Sequence, residues 1–258
     1  MDILIRYGNK FQQDKNSGGG LFGELAPIEI AKPDIPRCEE WPGLYKLNRE
    51  KELIGMYISA HPLDSYKYEI KNFCNVSLSQ LKELKPLMGT QIIAAGIVSS
   101  VREDVGKNGK PWGKIVLEDY TDTHEFAFFG KDYESFQNYI KQGISILIRG
   151  VVQEHPFRKG EIEAKIRTIN LLGNVRDEMV KALSLSMPLQ AVTHKRINEL
   201  EELALSNKGN VPMRFMVVDP ESGYYVNMFS RGLRVSITTE FMETLENYSN
   251  LEWKWIKD

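Results

Sequence analysis

The chain has 258 residues, 42% hydrophobic and 26% charged, with a formal net charge of −2. That composition fits an ordinary folded chain with room for two or three modest domains. It excludes a strongly basic surface overall, so any grip on a polyanion must be local.

In chain order, Met1–Lys15 reads as a short helix interrupted near Gly8, and its abrupt start suggests a piece of a longer chain. Lys15–Gly20 is a polar, Gly-rich linker of the flexible kind. Leu21-Phe22 then stands as an apolar pair in hydrophilic surroundings, either a linear motif for a partner or a pair that folds back on a neighbouring domain. Pro27, Pro33, Pro36 and Pro42 make the next stretch an extended connector. Leu44–Ile58 has helical spacing, with Leu47, Lys51, Ile54 and Ile58 along one side. Pro62 breaks it, further helices are expected over Asp64–Asn72 and Ser77–Leu84, and Ser77 is a candidate cap.

Gln91 to Gly173 organises the rest. Gln91–Val101, Lys114–Asp119, His124–Phe129, Ser145–Val152 and Glu163–Leu171 read as strands bounded by Gly, Asn, Asp and Pro. Lys131–Lys141 has helical spacing at Tyr133, Phe136 and Ile140. Five strands with one helix after the third is the layout of an OB-fold β-barrel, which binds oligonucleotides or oligosaccharides across strands two and three and the adjoining loops. Beyond it, Asn174–Leu185 reads as a crossing. Thr193–Ser206 is an amphipathic helix capped by Thr193. Val211–Asp219, Tyr224–Phe229 and Leu233–Ile237 read as strands, Glu240–Tyr248 as a helix and Leu251–Ile256 as a last strand. The fold class expected is thus multidomain α+β: a helical N-terminal segment, a five-stranded OB-fold barrel and a small C-terminal α/β domain. The boundaries fall at 1–43, 44–88, 89–173 and 174–258.

Enzyme signatures are missing. There is no phosphate-binding glycine loop, no GxSxG and no HExxH, and His61, His124, His155 and His194 are scattered. Glu118-Asp119 on a strand would point to opposite faces and could not share a metal. Cys38 and Cys74 form no CxxC pair, so neither zinc nor a disulfide framework is expected. No catalytic residue, metal or cofactor is assigned. Without a long apolar span or signal segment, no membrane contact and a cytoplasmic location are expected.

Binding signals are better. Phosphates need mobile cations, and bases need flat apolar surfaces to stack on. The turn after the first strand supplies Lys107, Lys110 and Trp112, with Arg102 before it and Lys114 after. The loop between strands four and five repeats the pattern with Phe157, Arg158 and Lys159. The rival readings are a plain solvated hairpin, a Trp112 that plugs the barrel end, and Phe126 and Phe128 as core. Basic and acidic residues are equal in number between Gln91 and Gly173, so contact with single-stranded DNA should be weak and salt-sensitive. A stand-alone OB-fold module that binds another protein is the alternative.

Several runs resemble one family. They are Leu21-Phe22-Gly23, Glu50–Asp64 (EKELIGMYISAHPLD), Ala94–Val98, Lys107–Pro111 and Leu117–Thr121. Together they look like the C-terminal part of the bacterial DNA polymerase III alpha subunit, over nearly the whole chain and least beyond Asn174. The resemblance implies a parent protein that is a DNA-directed DNA polymerase, with its catalytic aspartates upstream of these residues. It also implies three partners: single-stranded template DNA at the OB domain, the sliding clamp (beta subunit) at Leu21 and Phe22, and the clamp-loader tau subunit at the C-terminal domain. The family's clamp peptide begins with Gln, where this chain has Gly18.

Overall fold

The structure is a computed structural model that describes residues 2–16, 32–33, 40–156, 158 and 160–257. Helix α1 (Asp2–Asn16) runs unbroken through Gly8, and α2 (Gly43–Ile54) stops four residues earlier than its spacing suggests. Gly55 ends it by taking a left-handed φ of 87°, and its N–H closes the last turn on the Lys51 carbonyl. A 3-10 turn (Pro62–Tyr66) and α3 (Lys67–Phe73) follow. The expected helix over Ser77–Leu84 is only a 3-10 turn, Ser79–Lys82.

Five strands form the first sheet: β1 (Gln91–Val105), β2 (Pro111–Glu118), β3 (Thr123–Phe129), β4 (Ser145–Glu154) and β5 (Ile162–Leu171). Their order is β3-β2-β1-β4-β5, antiparallel throughout. β1 serves both halves: Gln91–Ile97 pairs with β4, and Ile97–Val105 with β2. A register shift at Val98/Ser100 turns the strand between them. Gly96 sits at this crossing, where a Cβ would come within 2.6 Å of the Glu118 carbonyl oxygen. Helix α4 (Lys131–Phe136) covers one end, with the rings of Phe136 and Phe128 5.3 Å apart, edge to face.

The closed barrel expected from the sequence is not formed. Among the described residues no hydrogen-bonded pairing joins β3 to β5, so the sheet curls around its core and stays open along that line. Phe126 and Phe128 are core as read, buried together with Ile92, Val98, Ile115, Leu117, Ile146 and Ile148.

After α5 (Val175–Met179), a second sheet contains β6 (Val180–Pro188), β7 (Lys208–Val218), β8 (Tyr225–Val235) and β9 (Glu252–Lys257), in the order β8-β7-β6-β9. Helix α6 (His194–Ser206) makes the crossover between parallel β6 and β7, and α7 (Thr239–Glu246) precedes β9. Thr193 caps α6 as expected, accepting from the Arg196 N–H at 3.2 Å. Two corrections arise here. The stretch read as a crossing, Asn174–Leu185, contains the first part of β6, an inner strand of this sheet. The two strands read over Tyr224–Ile237 are one strand with a register shift.

The connector belongs to both sheets. Tyr68 and Phe73 of α3 pack against Trp253 and Trp255 of β9, with ring centroids 5.7 and 5.9 Å apart. Leu78 and Leu81, a few residues on, are buried in the first core. Ala95, Ile97 and Leu147 of the first sheet join the core of the second.

Candidate nucleic-acid interface

The β1–β2 hairpin is built to push cations outward. Gly109 takes a φ of 73°, and the Gly106 N–H donates to the Lys110 carbonyl at 2.9 Å. Lys107 and Lys110 are therefore exposed at its tip, and among the described residues neither has an ion-pair partner. Burial along β2 alternates: Gly113, Ile115 and Leu117 face the core, while Trp112, Lys114 and Val116 face outward. Trp112 is thus on the outer face and does not plug the sheet.

Opposite Trp112 in register stands Phe129, the last residue of β3. The two rings stack, with centroids 5.8 Å apart and planes 25° from parallel, and Phe129 is 62% exposed. The Arg102 guanidinium sits over Trp112, 5.7 Å from its centroid. Lys107, Lys110, Trp112 and Phe129 share the lining of one open cavity of about 480 Å³. This is a shelf of two aromatic rings beside two mobile cations. The sequence reading named three of its four members and missed Phe129. The signal was the parity of β3: Phe126 and Phe128 face inward, so Phe129 faces out.

The other described candidate cations are paired locally. Lys114 pairs with Glu125 at 2.5 Å, Arg102 with Asp104 at 3.4 Å and Arg158 with Glu161 at 3.1 Å. Arg158 borders a second cavity of about 900 Å³, which occupies the gap between β3 and β5. Phe129 lines that cavity too, so it joins the two sites. Phe157 and Lys159, and the clamp-peptide residues Leu21 and Phe22, lie outside the described residues.

The Glu50–Asp64 run has a structural task. Lys51 pairs with Glu118 at the end of β2 and sits 4.8 Å from the Tyr57 ring centroid. The Tyr120 hydroxyl donates to Asp64 at 2.9 Å, and Asp64 in turn accepts from the His61 N–H at 2.8 Å. His61 lies between the rings of Tyr57 and Tyr120, at 5.1 and 4.5 Å. These contacts latch the connector to the β2–β3 turn. Burial pushes the Tyr120 hydroxyl well above its usual range, helped by the hydrogen bond to Asp64. Burial also pulls the pKa of His61 below the ordinary value, against the opposing pull of Asp64, and does the same to His124. Folding thus favours both imidazoles neutral, and the unfolded chain binds more protons near its own pKa of about 6.5. Stability should be fully present above that pH and fall as pH drops below it. Denaturant titrations at pH 7.5 and 5.5 check this, and replacing His61 and His124 together by Gln should flatten the difference.

Among the described residues no group of three His, Cys, Asp or Glu is placed to hold a metal ion. No helix among them is long and apolar enough to cross a membrane.

An OB-fold nucleic acid binding domain profile matches residues 92–172. The profile of the DNA polymerase III alpha subunit, C-terminal domain, matches residues 183–255. The DNA polymerase III subunit alpha of Saccharopolyspora erythraea is 25% identical over 212 residues, which is 81% of this chain and 17% of that protein. The Escherichia coli K12 subunit is 26% identical over 197 residues, 75% of this chain and 17% of that protein. The Mycobacterium tuberculosis H37Rv subunit is 26% identical over 203 residues, 79% of this chain and 16% of that protein. The chain therefore spans about a sixth of the length of these relatives. By sequence, it matches the C-terminal region of the DNA polymerase III alpha subunit family, an OB-fold segment followed by that family's C-terminal domain.

Proposed function

We propose that the chain is a non-catalytic C-terminal part of a replicative DNA polymerase III alpha subunit. Its OB-fold sheet contacts the single-stranded template. The Leu21-Phe22 peptide docks on the sliding clamp, and the C-terminal domain binds the clamp-loader tau subunit. The observation that carries the template reading is the Trp112–Phe129 stack beside Lys107 and Lys110, neither of them ion-paired among the described residues. Bases stack on such rings without regard to sequence, and the lysines lie within reach of the backbone phosphates. Residues 92–172 match a nucleic-acid-binding profile, which supports the same reading.

Because Arg102, Lys114 and Arg158 are already paired, few cations are left to release counterions. Binding should be weak, with a shallow salt dependence of about −0.7 per phosphate neutralised. Fluorescence anisotropy with labelled oligo(dT) tests this. Affinity should fall as salt rises, and Lys107→Ala with Lys110→Ala should flatten the slope by roughly one to one and a half units. Binding indifferent to both would favour the second reading, a protein-interaction module, to which the neutralised cations also lend themselves. The clamp contact is checked with the cognate clamp protein. Phe22→Ala should abolish most of the affinity, and an unchanged affinity would retire that assignment.

A further inference from the structure

At β6 and β7 the second sheet has one covered face and one open face, while the edge strand β8 is exposed on both sides, with Val226 59% and Met228 44% exposed. Met213, Phe215 and Val217 of β7 pair in register with Leu183, Leu185 and Met187 of β6, on the side packed by α6, α7 and α3. The alternate residues Arg214, Met216 and Val218 pair with Phe229, Asn227 and Tyr225 of β8 on the other side. Along β8, Tyr225 is 63% and Phe229 66% exposed, unusual for large rings on a regular strand. The Arg214 guanidinium lies over Phe229, 5.1 Å from its centroid.

Charge sets this ribbon apart. β7 and β8 carry Lys208, Arg214, Arg231 and Arg234 and no carboxylate, although the chain as a whole is net −2. Among the described residues none of these four cations is in an ion pair, in contrast to Arg102, Lys114 and Arg158 on the first sheet. The carboxylates nearby, Asp219 and Glu221, sit in the turn before β8, and Asp219 is occupied by the Ser222 hydroxyl at 2.6 Å. Phosphates would thus lie toward the Arg214 and Arg231 end.

We propose that this open face, at β7 and β8, is a second contact for single-stranded nucleic acid, separate from the hairpin shelf. Residues two apart on a strand face one way about 7 Å apart. Tyr225, Asn227 and Phe229 therefore form a row of ring, amide and ring. Bases stack on the rings, Asn227 reaches a base edge, and the ribbon's cations take the phosphates. A second copy of the chain is a poorer occupant, because two such ribbons would bring like charges together.

The test starts from a chain carrying Lys107→Ala, Lys110→Ala and Trp112→Ala, which strips the shelf of three of its four members. Anisotropy with fluorescein-labelled (dT)20 should still detect binding. Adding Tyr225→Ala or Phe229→Ala should weaken it roughly 5- to 150-fold, while Phe229→Tyr retains it. Arg214→Gln should flatten the salt slope by about 0.7. Tyr225, Phe229 and Arg214 are all exposed, so circular dichroism should show an unchanged fold. Loss of all binding in the starting variant would overturn the second contact and leave the shelf as the site. Residual binding that ignores Tyr225 and Phe229 would overturn it too, and self-association through this face in sedimentation would identify a protein interface instead. Binding unaffected by the three shelf substitutions but lost with Phe229→Ala would support this face and remove the shelf.

Discussion

Arg176→Met should destabilise the chain by about 3–5 kcal/mol, because it leaves a buried carboxylate without its partner. Glu69 of α3 is 3% exposed and pairs with Arg176 of α5. Arg176 also donates to the Ile237 carbonyl at 2.7 Å and to the Thr239 hydroxyl at 3.1 Å. It therefore ties the connector to the segment leading into α7. The two halves of the pair are unequal. Glu69→Gln leaves Arg176 two neutral acceptors and should cost less. Arg176→Met with Glu69→Leu removes both charges and should recover most of the loss, since a buried pair is often no better than well-packed apolar residues. Urea denaturation of the three variants checks the order. Equal losses in both single variants would mean that the buried charge is not what decides the cost.

The second large effect is expected at Trp255. It is 1% exposed and touches Phe73 and Trp253, with ring centroids 5.9 Å away in each case. The Arg176 guanidinium lies 5.8 Å from its ring. Trp255→Ala opens a cavity between α3 and the second sheet and should cost about 3–5 kcal/mol. Trp255→Phe keeps most of the ring and should cost much less. Arg176 and Trp255 are in contact, so a chain carrying both Arg176→Met and Trp255→Ala should lose less than the sum of the single losses. Thermal or urea melts of the single and double variants measure that coupling.

The strands of the first sheet were legible because their apolar runs end at Gly, Pro, Asn and Asp, and each was found within a few residues. Closure was not legible: it depends on whether β3 and β5 meet, a long-range pairing that no local run encodes. The same limit hid Phe129, whose partnership with Trp112 follows only from the β2–β3 register. It also hid the pairing of Lys114 with Glu125, which turned an expected phosphate ligand into half of an ion pair. β6 was a different kind of miss. Leu183, Leu185 and Met187 alternate with Ser184 and Ser186, a period-two pattern that was present in the sequence, although its first half, up to Leu185, was read as a crossing. The Glu50–Asp64 run was conspicuous as a motif, but its work as a latch rests on Tyr120 and Glu118, far along the chain.

The gap between β3 and β5 carries one more implication. Two strand borders with unused amide and carbonyl groups are templates on which copies of a chain can stack into fibres. Here those borders bear Glu125 on one side and Glu163, Lys165 and Arg167 on the other, with Lys165 held by Asp132 across the gap. Charges at that spacing make an added strand costly to desolvate. The sheet can thus stay open without inviting aggregation.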